Sequence, residues 1–319
     1  MRRNAWRFLS RKSSVIGLVL IGVFFAVALA APTLSPPNPD AEDPTIKLVV
    51  TNNKNQPIPP GDEFPLGAIP VGNRLYMDIY HSLVWGARSA LIFGLVVVLV
   101  SAGLGILVGA FSAYTGKWVD SALMRFTDAF LAFPMIAGVV FFQQLYTILI
   151  TPQNLFLPQV PDLQPATGLL GLFAGIDPLL IALIVLSWMT YARITNSMVL
   201  RIKETGFVEA SRALGASHGR LIFRHLIPNS ITPAVVLAAR DIGALVLFQA
   251  TLAFIGLSDS SPWGLSLAAG RRWIIGPGGS MLKYWWVFFP ITLAIILFGI
   301  GWNLIGDNVN DWLNPHREQ

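Results

Sequence analysis

The chain has 319 residues, 54% of them hydrophobic and 12% charged, with no cysteine and a formal net charge of +5. A soluble domain carries about a quarter charged residues, so this chain cannot clothe a water-facing surface and part of its solvent is lipid. Disulfides, thiolate metal sites and cysteine nucleophiles are excluded, and the basic residues sit beside apolar spans instead of gathering into a nucleic-acid-binding face.

A membrane-crossing helix needs roughly 20 apolar residues. Six candidate spans follow in order: about 14–31, 88–114, 121–149, 178–199, 231–257 and 286–306. The expected fold is therefore all-α, a polytopic membrane protein with six transmembrane helices. The first span closes on "AVALAAP", which also fits a secretory signal cleaved after Ala30. Its apolar run of about 18 residues exceeds the usual 7–15 and favours a retained helix, so that residues 1–31 are the cytoplasmic N-terminus and first transmembrane helix. Residues 32–87 form a polar, proline- and asparagine-rich segment expected to be a loop or small cap outside the membrane. The second span is long enough to tilt or project. "TPQNLFLPQVPDLQPATG" (151–168) reads as a second loop on the same side as the cap.

Lysine and arginine orient the spans. Arg2, Arg3, Arg7, Arg11 and Lys12 precede the first; Lys117 and Arg125 flank the turn before the third. Arg193, Arg201, Lys203, Arg212, Arg220 and Arg224 lie between the fourth and fifth, and Arg317 is in the tail (307–319). From Phe126 to Ala192 there is neither lysine nor arginine. The positive-inside rule puts both termini, and the segment at about 200–229, in the cytoplasm.

Chemistry motifs are few. Gly116-Lys117 would open a phosphate-binding loop only with glycine at 111 and Ser or Thr at 118; the chain has Phe111 and Trp118. Hydrolysis of ATP in this chain is not expected, and no cofactor or metal is called for. His218 and His225 are about 10 Å apart along a helix, too far to share one ion. Arg240 and Asp241 fall within the fifth span, where charges cost about 2.5–3.5 kcal/mol each. Either they pair with neighbouring helices or they line a polar pathway.

The segment "VEASRALGASHGRLIFRHLIPN" (208–229) stands apart from the apolar runs around it. Phe207, Ala210 and Leu214 fall at i, i+3 and i+7, an apolar helical stripe. Gly215 suits the left-handed residue that ends a helix, Ser217 can cap the next, and Pro228 marks a new direction. On these residues alone the segment is either a connector lying on lipid headgroups or a knob gripped by a partner.

Glu209, Ala210, Ser211, Gly215, Leu226, Ile227 and Pro228 resemble the EAA loop of the permease subunits of bacterial ATP-binding-cassette importers. "FPLG" (64–67), "WGARSAL" (85–91), "VDSALMRFTDAFLAFP" (119–134), "QATLAFIGL" with "SPWG", and "NLIGDNVNDWLNP" (303–315) extend the resemblance to the dipeptide, oligopeptide and nickel branch, and within it to the second of two paired permeases. The resemblance implies a type I importer permease core at 88–306 in a bacterial inner membrane. It also implies ATPase coupling through the loop, and an assembly with a homologous second permease, two cytoplasmic ATP-binding subunits and an extracytoplasmic solute-binding protein. Peptide or a similar solute is the expected cargo. The chain departs from the branch pattern at Ala68-Ile69, between Gly72 and Asp78, at Gln249 where glutamate is usual, and in the 151–168 loop. With Arg240 and Asp241, Gln249 is a candidate for the translocation pathway. The rival classes are a self-sufficient channel or secondary transporter, which would show midplane charges and an inverted repeat, and a membrane enzyme, whose catalytic constellation is not found.

Overall fold

The structure, a computed structural model, describes residues 12–37, 43–52, 55–150, 175–258 and 261–313. The first four arginines, the 151–168 loop and residues 314–319 lie outside them. The chain is mainly helical. Among the described residues, five helices are each long and apolar enough to cross a membrane, and a bent pair makes six if counted as one span. Two compact units divide the chain, one of residues 1–95 with 239–319 and one of residues 96–238.

In the first unit, α1 (Lys12–Leu34) packs along α11 (Trp285–Leu313). Glycines allow the approach: a Cβ on Gly17 would lie 3.0 Å from Leu304 Cβ, and one on Gly301 would lie 2.9 Å from Ile21 Cδ1. Ser13 donates to Asn308 at 3.4 Å. The polar segment is more than a loop. Strands β1 (Leu48–Val50), β2 (Ala68–Pro70) and β3 (Leu75–Asp78) form an antiparallel sheet in the order β1-β3-β2, with Leu48 opposite Met77 and Ile69 opposite Met77 on the other side. Phe64, Ala68 and Tyr76 form its core. This small sheet rests on α10 (Pro262–Ile275) through β2.

Helix α2 (Ile79–Thr115) starts well before the expected 88. Asp78 dictates this: its carboxylate accepts from the backbone N–H of Tyr80 at 2.9 Å and of His81 at 3.3 Å, filling donors that a helix start leaves open. Counting apolar residues finds where a helix becomes greasy, not where it is capped. His81 is fully buried; its Nε2 donates to the Pro44 carbonyl at 3.0 Å, so its Nδ1 accepts the Ser35 hydroxyl at 2.8 Å. Two motifs of the resemblance meet here. Gly86 lies under Trp263, whose Cδ1 would be 2.2 Å from an added Cβ, and Trp263 Nε1 donates to Leu83 O at 3.1 Å.

In the second unit, α2 lies against α5 (Pro178–Ile202) with almost no side chain between. A Cβ on Gly105 would fall 2.3 Å from Trp188 O, and one on Gly109 would fall 2.2 Å from Ala192 O. Four-residue glycine spacing is the small-residue device that lets membrane helices touch backbone to backbone.

The expected third span at 121–149 is corrected. Helices α3 (Lys117–Leu131) and α4 (Met135–Ile150) meet at 97° instead of running straight. Pro134 lacks the N–H and disfavours helical dihedrals at Phe133, so the chain turns at Ala132–Phe133–Pro134. Asp120, on α3, accepts from the Ser112 hydroxyl at 2.6 Å and the Asn196 amide at 2.5 Å, tying α3 to α2 and α5. Asp128 forms an ion pair with Arg193.

Candidate functional site

The segment singled out in the sequence folds as a helical elbow between α5 and α9 (Thr232–Phe254). It opens at Thr205, whose extended backbone (ψ 147°) turns the chain into α6 (Gly206–Ala213). Helix α6 stops as its composition requires. Gly215 adopts φ +81°, its N–H donates to Arg212 O at 3.0 Å, and the Ala216 N–H reaches back to Ser211 O at 3.1 Å. These two bonds are the Schellman closure, which needs a residue at ease with positive φ. Ser217 then caps α7 (His218–Arg220), its hydroxyl accepting from Arg220 N at 3.4 Å. The expected helix, hinge and helix are present.

Pro228 does not start a new direction as expected. The backbone stays in right-handed helical dihedrals at Leu226, Ile227 and Ile231. The proline is absorbed by widening: Leu221–Leu226 forms a π-helical segment in which the Ile227 N–H bonds Ile222 O, and α8 (Ile227–Ser230) carries the chain to α9. Asn229 Nδ2 donates to His225 O at 2.6 Å, serving one carbonyl of that segment.

The residues of the elbow split into two sets. Val208, Leu221 and Leu226 are buried against Ala110 and Ala113 of α2 and Val199 of α5, with Ile227 packed at the edge. Each large apolar side chain so buried contributes on the order of 2 kcal/mol. Two polar contacts reinforce the seat. Lys203 Nζ donates to Ala113 O at 2.8 Å, satisfying a carbonyl in the last turn of α2, and the Tyr114 hydroxyl meets His218 Nδ1. The other set faces out. Glu209, Ala210, Gly215 and Pro228 are exposed, Ser211 is half-buried and turns its hydroxyl back to Phe207 O at 2.8 Å. The apolar stripe is also outside: Phe207 is 45% and Leu214 89% exposed, and Phe223 is exposed beyond the turn. The sequence periodicity picked the outward stripe and missed Val208, the residue that anchors the helix. Only its neighbour relation to Leu221 and Leu226, across the turn, could have pointed to it.

The candidate pathway residues do not cluster. Arg240 forms an ion pair with Asp307 on α11, as the pairing alternative expected. Asp241 is half-buried, and Gln249, eight residues on and so about 12 Å along α9, is 1% exposed.

Comparison with known proteins bears on both ends of the chain. The family model for the binding-protein-dependent transport system inner membrane component matches residues 105–319, and that for the N-terminal TM domain of oligopeptide transport permease C matches residues 1–57. The dipeptide transport system permease protein of Alkalihalophilus pseudofirmus is 30% identical over 317 residues, 98% of this chain and 89% of its own length. A putative peptide permease protein of Brucella ovis is 30% identical over 321 residues, 100% of this chain and 92% of its own. The probable D,D-dipeptide transport system permease protein of Escherichia coli is 27% identical over 317 residues, 97% and 90% of the two chains.

Proposed function

Because this chain belongs to the inner membrane components of binding-protein-dependent transport systems, we propose that the elbow at 203–230 is the handle through which separate ATP-binding subunits drive it. The chain is a multi-pass permease subunit of an ABC importer of the peptide branch. The self-sufficient channel or secondary transporter is left without support. We further propose that it forms half of the pathway beside a homologous second permease, receives a peptide or similar solute from an extracytoplasmic binding protein, and rests on two cytoplasmic ATP-binding subunits. Both termini then face the cytoplasm.

One observation carries the coupling reading: a helix with Phe207 and Leu214 exposed on one side is fastened on the other side to α2 and α5. A lipid-lying connector would need no such rigid seat. Exposed apolar residues beside Glu209 and Arg212 offer a partner the anchors and rim of an interface. Nucleotide-driven closure of the ATPases must bind one state of the elbow better than another to do work. The seat passes displacement of α6 to α2 and α5, because buried side chains do not slide freely past one another.

Leu214→Asp and Glu209→Lys are expected to weaken capture of the ATP-binding subunits roughly 30-fold, about 2 kcal/mol, and to abolish uptake while the permease still inserts. Co-purification with ATPase retained at wild-type level in both variants would remove the handle. Sidedness has its own check, aided by the absence of cysteine. A membrane-impermeant maleimide should label Leu214→Cys only from the cytoplasmic side and Pro277→Cys only from the outside; the reverse pattern inverts the topology.

A further inference from the structure

Arg271, Arg272 and Lys283 are cations without an evident employer. All three are exposed, and among the described residues none has a carboxylate within ion-pair distance. In the topology proposed above they lie outside, against the charge bias that puts most lysine and arginine in the cytoplasm. Each sits over an aromatic ring instead: Arg271 over Phe254 at 5.8 Å, Arg272 over Trp273 at 4.9 Å, Lys283 over Tyr284 at 5.0 Å. Such rings hold a cation in place while leaving its charge unneutralised. Trp273 meets Tyr284 edge to face at 5.5 Å, and Tyr284 meets Trp286 at 5.8 Å, so the end of α10 and the start of α11 form one surface.

The apolar residues beside these cations say what covers them. Ile275 is 74% and Leu282 89% exposed. Trp285, Phe289, Leu293, Ile296 and Ile300 are exposed in helical register down α11, a helix long and apolar enough to cross a membrane. Leu282 and Trp285 are the head of that stripe. Tryptophan at the end of a lipid-facing stripe, with cations just beyond, belongs at the headgroup level.

We propose that Arg271, Arg272 and Lys283, with Trp285 and Leu282 as the apolar floor, bind the phosphodiester headgroup of an anionic phospholipid in the outer leaflet. The leaflet rests on the proposed topology; the headgroup chemistry does not. The lipid fastens the junction of α10 and α11, which also carries the sheet through β2.

The full chain, purified into mixed micelles of phosphatidylglycerol and phosphatidylcholine, tests this by native mass spectrometry of retained lipid. Wild type is expected to prefer phosphatidylglycerol roughly tenfold, and R271Q/R272Q/K283Q to lose the preference; the three single variants, each with a partial loss, serve if the triple variant does not fold. The charge-keeping R271K/R272K/K283R should retain most of it. Equal retention of both lipids by wild type, or an undiminished preference in the variants, overturns the proposal. So does displacement of the lipid by inorganic phosphate, which would make this a free-anion site. Loss of binding-protein capture with lipid preference intact would make it an acidic-protein dock, and also overturns it. Glu209→Lys should leave lipid preference unchanged, so failure of the coupling reading shows up separately. Labelling of Pro277→Cys only from the cytoplasm overturns the leaflet.

Discussion

Gly215→Val is expected to reduce ATP-driven peptide uptake to background while leaving the permease in the membrane at normal abundance. Gly215 has φ +81°, and a left-handed backbone costs an ordinary residue about 1–2 kcal/mol, more for a β-branched one. No neighbour lies within 4 Å of an added Cβ, so the effect is conformational and not a clash. Losing the left-handed turn releases Arg212 O and Ser211 O from their Schellman partners and lets α6 swing from its set angle. The buried anchors Val208, Leu221 and Leu226 remain, so folding survives while the outward stripe is misdirected. Asparagine tolerates positive φ, and Gly215→Asn should keep most uptake. Uptake into proteoliposomes reconstituted with the partner subunits is the measurement, and a wild-type rate for the valine variant would remove the elbow's angle from the mechanism.

Gly109→Leu acts earlier, on folding itself. Its Cβ would fall 2.2 Å from Ala192 O and 3.0 Å from Ala192 Cα, backbone atoms that have nowhere to go. The helices α2 and α5 must separate, and the seat of the elbow, Ala110 and Ala113 on one side and Val199 on the other, opens with them. Overpacking of this kind costs about 3 kcal/mol or more, a fall in apparent Tm on the order of 10 °C in detergent. Gly103→Leu is the control: nothing lies within 4 Å of its Cβ, and little change is expected. Equal melting of the two variants would mean that α2 and α5 do not need their close approach.

The elbow was legible in the sequence because its signals are local. Gly215 and Ser217 carry their turn and cap in their own backbone preferences, and no distant residue is needed to read them. The bend between α3 and α4 was missed for the opposite reason. An apolar count over 121–149 averages across Pro134, where the helix breaks and the chain turns. The start of α2 was hidden by the same averaging, since the cap is Asp78 and the greasy stretch begins later. The partner of Arg240 lies 67 residues away, and no pattern along one helix could select it. For α6, periodicity shows where apolar side chains line up; which side is covered depends on α2 and α5.

The π-helical stretch at Leu221–Leu226 has a consequence for how evolution can edit this protein. Such a turn holds about one residue more than an α-turn, so the backbone carries a surplus link just where it leaves the elbow. Deleting one residue there would let the stretch close into an unbroken α-screw, and because only the surplus is removed the positions on either side would keep their facing about the axis. The stretch is slack held in the backbone: a single residue can be lost from it while the elbow keeps its facing and the helices on either side stay uncut.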